Sequence, residues 1–183
     1  MTATPPLEIR AAEPADACAL TAMVNLPGVR HGTLQLPYAP RARLEHRLVA
    51  ASDEHFLVGE IVDADGVRRI VAHGGLLPRK RRRAHVGEVV LIVHDDHVGR
   101  GYGASVLRAL LDLADNWLGL RRLELEVNAD NLFAIRLYER HGFVVEGTKR
   151  GDVLRAGELI DSHVMGRLRD TPQRKTVQPG ETG

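Results

Sequence analysis

Residues 89–93 read Val-Val-Leu-Ile-Val, and no other stretch of the chain restricts the fold so tightly. A continuous run of β-branched and leucine side chains is the pattern of a strand buried on both faces, not on one. A glycine-rich turn follows, with Gly99, Gly101 and Gly103 at alternate positions. Behind it Leu107, Leu110, Leu111, Ala114, Trp117 and Leu118 recur at three- and four-residue spacing, which predicts an amphipathic helix with these residues on its apolar face. Strand, glycine loop and helix start, in that order, make an anion site. The first N–H groups of a helix lack partners within it and sit at the positive end of its dipole. Glycine lets such a backbone approach a phosphate closely. Val98, Gly99, Arg100, Gly101, Tyr102, Gly103 and Ala104 are therefore candidates to cradle a phosphorylated ligand. A tight strand-to-helix turn with no ligand is the alternative.

Composition narrows the partners. Lys and Arg total 25 against 24 Asp and Glu, a formal charge of +1, without the basic excess that nucleic acid demands. The single cysteine, Cys18, excludes an internal disulfide and a multi-cysteine zinc site, and its helical context predicts a small core residue. The first residues show neither the basic nor the apolar segment of a secretory signal, and no apolar run is long enough to span a membrane. A cytoplasmic protein is expected. A chain of 183 residues fits one domain, able to bury about 70% of its unfolded surface.

Taken in order, residues 7–11 predict a strand and Pro14 opens a helix carried by Ala17, Leu20, Met23 and Val24. Pro27-Gly28 ends it, and residues 29–40 read as a loop of the kind that shapes substrate sites. A helix over roughly 41–51 follows. Residues 55–62 and 67–77 form a hairpin through the Asp65-Gly66 turn, and the basic run 79–83 caps the next connection in solvent or meets an acidic partner. Residues 122–127 alternate as a strand with Glu124 and Glu126 on one face. Residues 128–141 predict a helix stopped by Gly142. Residues 143–146 and 158–168 close the sheet around turns at Gly151 and Gly157, and a disordered tail runs over 169–183. The result is an α/β (α+β) domain over 1–168, with helices flanking a mixed, mostly antiparallel sheet that has a single parallel crossover.

Two stretches at this separation resemble the GNAT superfamily of acyl-CoA-dependent N-acetyltransferases. Residues 93–104 look like its acyl-CoA loop. Asn128 to Asn131, continuing through Ala134-Ile135-Arg136-Leu137-Tyr138-Glu139 to Gly142-Phe143, look like its later helix and turn. Val98 departs from the pattern: the family usually places Arg or Gln there, so a side-chain contact is lost while the backbone N–H is kept. Thr33-Leu34-Gln35-Leu36-Pro37, Asp115-Asn116-Trp117-Leu118 and Glu146-Gly147-Thr148 are similar to the bacterial L-amino-acid N-acetyltransferase branch. The resemblance implies acetyl-CoA as cosubstrate without a metal, a small-molecule amine as acceptor and, as is frequent in the superfamily, a homodimer. Protein N-termini, polyamines and amine antibiotics are the alternative acceptors.

The resemblance also implies roles. Leu91, Ile92 and Val93 would pair with the pantetheine arm, and the Val93 N–H would face the thioester oxygen. Tyr138 is the candidate general acid for the leaving thiolate, or else a core tyrosine. Asn131 caps its helix, bonds the pantetheine, or both. Glu88 beside the apolar run is a desolvated base for the amine, or a carboxylate paired to a neighbouring Arg. Thr33 and Gln35 bind the acceptor or their own backbone. His94-Asp95-Asp96-His97 are too closely spaced to converge on a metal. Two rivals remain. An NAD oxidoreductase would use Glu124 for ribose, but the glycines run G-x-G-x-G and too few β-α units follow. A non-catalytic acyl-CoA-binding module would need neither Tyr138 nor Glu88.

Overall fold

The structure, a computed structural model, describes residues 5–50 and 53–169. Its strands are β1 Glu8–Ala11, β2 His55–Val62, β3 Arg68–Pro78, β4 Val86–Val93, β5 Arg122–Asn128, β6 Val144–Arg155 and β7 Glu158–Leu168. They form one sheet in the order β1-β2-β3-β4-β5-β7-β6, antiparallel throughout except at β4–β5. The helices are α1 Ala17–Val24, α2 Pro27–Gly32, α3 Arg41–Ala50, α4 Tyr102–Asp112 and α5 Leu132–Glu139. The α/β architecture is the expected one, with its parallel crossover made by α4. Residue 51 and the tail beyond Arg169 lie outside the described residues.

Two apolar clusters hold the layers. On one face Val106, Leu107 and Leu110 of α4 pack on Val71, Leu76 and Val89, and the cluster continues through Leu123, Leu125 and Met165 to Tyr138 and Phe143. On the other, Leu20, Met23 and Val29 meet Val58, with Ile70 and Ile92 beside them. Alternation in β5 places Leu123 and Leu125 inward and leaves Glu124 and Glu126 on the opposite face. The β2–β3 turn forms as its sequence predicts: Asp63 Oδ1 accepts the N–H groups of Asp65 (3.0 Å) and Val67 (3.1 Å), and Gly66 takes φ +75°.

Several expectations are corrected. Pro27-Gly28 start a helix rather than end one, and residues 29–32 are helical, not loop: Pro27 stands at the first helical position, and the remote Asp95 carboxylate caps the N-terminus. Trp117 and Leu118 leave the apolar face of α4. The Leu118 N–H reaches back five residues to the Leu113 carbonyl (3.0 Å), and this wider turn rotates Trp117 outward, where its indole N–H donates to Asp112 (3.3 Å). Cys18 is exposed because the inward side of α1 is taken by Ala17, Leu20, Met23 and Val24. Strand β6 is far longer than residues 143–146. Gly151, at φ +60°, sits within a bulge in it, and the chain reverses at Ala156-Gly157, both with positive φ. The helix predicted over 128–141 begins only at Leu132, because Asn128 closes β5 and Asn131 caps α5.

Helix α4 must seat closely on the sheet to start where β4 ends. At Gly74 in β3, an added Cβ would stand 2.7 Å from Val106 and 2.8 Å from Leu110. Gly74→Ala is therefore expected to lower stability by about 1–3 kcal/mol through overpacking. Urea unfolding checks this, and an unchanged midpoint would mean that the contact is looser than described.

Candidate active site

Strands β4 and β5 share only three registers, Val86↔Arg122, Gly87↔Leu123 and Glu88↔Glu124. Beyond them β4 stays with β3 as far as Val93, while β5 stays with β7 as far as Asn128, so the sheet opens between the two. Which groups face the opening follows from strand parity. The Val86 carbonyl accepts the Arg79 N–H (2.8 Å) and the His94 N–H donates to Val71 (2.9 Å), so even-numbered residues of β4 turn their polar backbone to β3. The N–H and C=O groups of Leu91 and Val93 therefore face the gap, with no partner among the described residues. An unpaired ladder edge inside a sheet calls for a partner, either water or a ligand that behaves as a strand. Leu91, Ile92 and Val93 are accordingly half-buried rather than buried, as the apolar run alone suggested.

A cleft of about 930 Å³ opens from this gap, walled by α2, the glycine loop, the start of α4 and one face of α5. Gly99 (φ +79°) and Gly101 (φ +84°) shape the loop. A Cβ at either would meet nothing within 4 Å, so the left-handed backbone, not crowding, is what requires glycine. Ser105 is the first residue of α4 whose N–H reaches back into the turn, to the Gly101 carbonyl (3.1 Å). Among the described residues the N–H groups of Tyr102, Gly103 and Ala104 have no partner, and they lie at the positive end of the helix beside the cleft. Val98 lines the cleft with an exposed side chain. Arg100 is exposed and is not part of the wall. Arg108 and Arg140 do line it and form no ion pair among the described residues, which adds positive charge.

Tyr138 projects from α5 into the same cleft. It is 6% exposed, packs at 5.8 Å against Phe143, and its hydroxyl has no hydrogen-bond partner among the described residues. Burial pushes its phenol up to about 12, so it is protonated at neutral pH. The other reading of this tyrosine, a core residue, also describes part of it: the ring is core and the hydroxyl is not. Asn131 caps α5 by accepting the Ala134 N–H (3.1 Å) while lining the cleft. His97 lines it too, with Nδ1 buried and unpartnered. Desolvation first, then Arg100, holds its pKa below the usual histidine value.

Other expected residues are placed differently. Glu88 lies outside the cleft wall, and its carboxylate is not desolvated: Arg79 binds it at 2.7 Å and a third of the side chain is exposed. The basic run supplies that partner, and Arg79 and Arg83 also bind Glu124 across the connection. Thr33 lines the cleft, but its hydroxyl donates to the Val29 carbonyl (2.6 Å) and accepts the Gln35 N–H (3.3 Å). Gln35 does not reach the cleft. His94 to His97 fan out: Asp95 goes to α2, the His94 ring accepts the Asp96 N–H (3.3 Å), and His97 packs beside Tyr102. Sequence reasoning missed Arg108 and Arg140, and it weighed Asp95 only as a metal ligand and not as the cap of α2.

The family model for acetyltransferase (GNAT) matches residues 22–143. The chain belongs to the GNAT acetyltransferase family. It is 32% identical over 161 residues to the L-amino acid N-acetyltransferase AaaT of Escherichia coli (strain K12), covering 88% of this chain and 97% of that protein. A GNAT-family acetyltransferase from Streptococcus pneumoniae superposes with a TM-score of 0.76 at 27% identity, over 90% of this chain and all of that one. The spermidine N-acetyltransferase from Vibrio cholerae, in complex with CoA and spermine, gives 0.76 at 25% identity, over 88% and 95% of the two chains. This GNAT chain is thus an acetyl-CoA-dependent N-acetyltransferase, and the oxidoreductase and non-catalytic readings fall away.

The Tyr138 environment makes a spectroscopic prediction. The phenolate absorbance assigned to Tyr138, taken as wild type minus Tyr138→Phe, should still be missing at about pH 11, where an ordinary tyrosine with a pKa of about 10 is ionised. The folded state keeps a proton that the unfolded state releases, so Tyr138 should cost stability as pH rises from about 10 to about 12. A difference spectrum with a midpoint near 10 would contradict this environment.

Proposed function

We propose that this acetyltransferase moves the acetyl group of acetyl-CoA to the α-amine of a free L-amino acid, by direct attack in a ternary complex. One observation carries the reading: the unpaired Leu91 and Val93 backbone groups open onto the same cleft as the protonated, unpartnered hydroxyl of Tyr138. The amino-acid acceptor is supported by the similarity to AaaT, which extends over 97% of that protein.

In this reading the pantetheine arm takes the place of a strand against Leu91 and Val93, and the diphosphate lies on the free N–H groups of Tyr102, Gly103 and Ala104. Arg108 and Arg140 serve the remaining phosphate charge. The α-ammonium of a free amino acid lies beside its own carboxylate and titrates well above a peptide N-terminus, so it must lose a proton before the nitrogen can attack. The ammonium proton passes to solvent through the open cleft; Glu88, outside the cleft wall and held by Arg79, is not given that part. The neutral nitrogen attacks the thioester carbon, and the carbonyl electrons move to oxygen, where the Val93 N–H donates to the oxyanion. Such a donor is worth about 3 kcal/mol in the transition state. The C–S bond then breaks as the carbonyl re-forms. A phenol near 12 is a weaker acid than a thiol near 8.5. Tyr138 therefore acts as a relay: it donates to sulfur while the proton released by the acylated nitrogen replaces its own. The products are the N-acetylated amine and free CoA thiol, with one N–H proton transferred to sulfur.

Thiol release from acetyl-CoA, with the twenty standard L-amino acids, spermidine and an aminoglycoside supplied separately, tests the acceptor. An L-amino acid should give the highest kcat/KM, and a preference for spermidine or the aminoglycoside would overturn that assignment. Tyr138→Phe should lower kcat by at least about tenfold with acetyl-CoA affinity nearly unchanged. Wild-type turnover in that variant would remove Tyr138 from the proton relay.

A further inference from the structure

Helix α2 has six residues, too few to hold its own position in water. Its place is set from both ends by the two strands that part. From just beyond β4, the Asp95 carboxylate accepts the N–H groups of Gly28 (2.8 Å) and Val29 (3.0 Å). From the end of β5, the Asn128 side-chain amide donates to the His31 carbonyl (3.1 Å), which the Arg155 guanidinium also reaches (3.0 Å). The helix is thus tied across the mouth of the gap, and Gly28, Val29 and Gly32 form a wall of the cleft. Asp95 faces two ways. Its side chain holds α2, while its carbonyl accepts the Val98 N–H (3.4 Å) that opens the glycine loop. The approach is close: a Cβ at residue 28 would stand 2.6 Å from Asp95 Oδ1 and 2.8 Å from its Cγ, so any side chain there would push the carboxylate off the two N–H groups.

We infer that Asp95 is a positioning residue: it fixes α2 as the acceptor-side wall and ties that wall mechanically to the donor loop. The inference rests on the acetyl-transfer reading of this cleft. Asp95 touches neither reacting group; it acts through the two N–H groups it caps and the residues that follow them. Its removal frees the N-terminal end of α2, so the acceptor loses a wall while the unpaired N–H groups that open α4 stay as they are.

Two measurements that need no acceptor separate this from a failure of the acetyl-transfer reading. Hydrogen exchange of amides 28–32 should accelerate at least about fivefold in Asp95→Ala, the scale of a lost helix cap. The acetyl-CoA dissociation constant from calorimetry should change by less than about twofold, because the α4 amides are untouched. Asp95→Asn, which keeps one acceptor oxygen, should exchange at an intermediate rate. Gly28→Ala should reproduce Asp95→Ala by displacing the carboxylate, and the double variant should be no worse than either single one. With an equimolar mixture of the twenty standard L-amino acids, the apparent KM should rise more than kcat falls. Unchanged exchange in residues 28–32, or additive effects of Gly28→Ala and Asp95→Ala, would overturn the inference. So would a large loss of acetyl-CoA affinity with an unaltered acceptor KM.

Discussion

The parting of β4 from β5 after three shared registers is the constraint from which the rest of the molecule follows. A sheet interior normally pairs every backbone group, and here a strand in the middle of a seven-stranded sheet presents an open edge at Leu91 and Val93. The opening persists because other interactions hold both sides apart. Strand β4 is bound to β3 along its whole length, β5 to β7, and α4 spans the join from below through Val106, Leu107 and Leu110. Side chains alone do not stabilise such an edge. A ligand with its own amide groups does, by completing the ladder that the sheet leaves unfinished.

The chemistry is distributed around this opening by element ends. The end of β4 supplies the ladder edge, the start of α4 supplies free N–H groups for an anion, and α5 supplies a phenol whose ring is anchored in the core. Each is a terminus or a packed helix face, and each therefore has a fixed direction. The charged face at the closed end of the gap has a different character. There Glu88, Glu124 and Glu146 are matched by Arg79, Arg83 and Arg122, so that end carries ion pairs where the other carries unpaired backbone. Surface ion pairs of this kind add little stability each. Their effect is to keep these carboxylates occupied at the end of the gap away from the cleft.

The sequence was legible wherever the signal was local. The apolar run, the alternate glycines, the hairpin turn at Asp65-Gly66 and the Leu-Glu alternation of β5 each state their own conformation. The glycine loop and Tyr138 were singled out because their elements could be placed and a family pattern suggested roles for them, and both line the cleft. What stayed hidden depended on partners far along the chain. Pro27-Gly28 read as a helix end and residues 29–32 as loop because the carboxylate that caps the new helix is Asp95, which no nearby pattern connects to Gly28. Trp117 read as core because periodicity assumes 3.6 residues per turn, and one wider turn broke the phase. Glu88 left two readings, a desolvated base or a carboxylate paired to a neighbouring Arg, and the structure shows the second. Which arginine pairs with it, Arg79 of the adjacent strand connection, depends on the sheet register and is not visible in composition.

The crystal structure of this chain with acetyl-CoA would be the most direct measurement. The expected result is a pantetheine arm lying between β4 and β5, its amides bonded to the backbone of Leu91 and Val93, with the diphosphate at the start of α4. A cofactor bound elsewhere, with the β4 edge still open or closed by water alone, would contradict the view that the gap exists to be completed by the acyl donor.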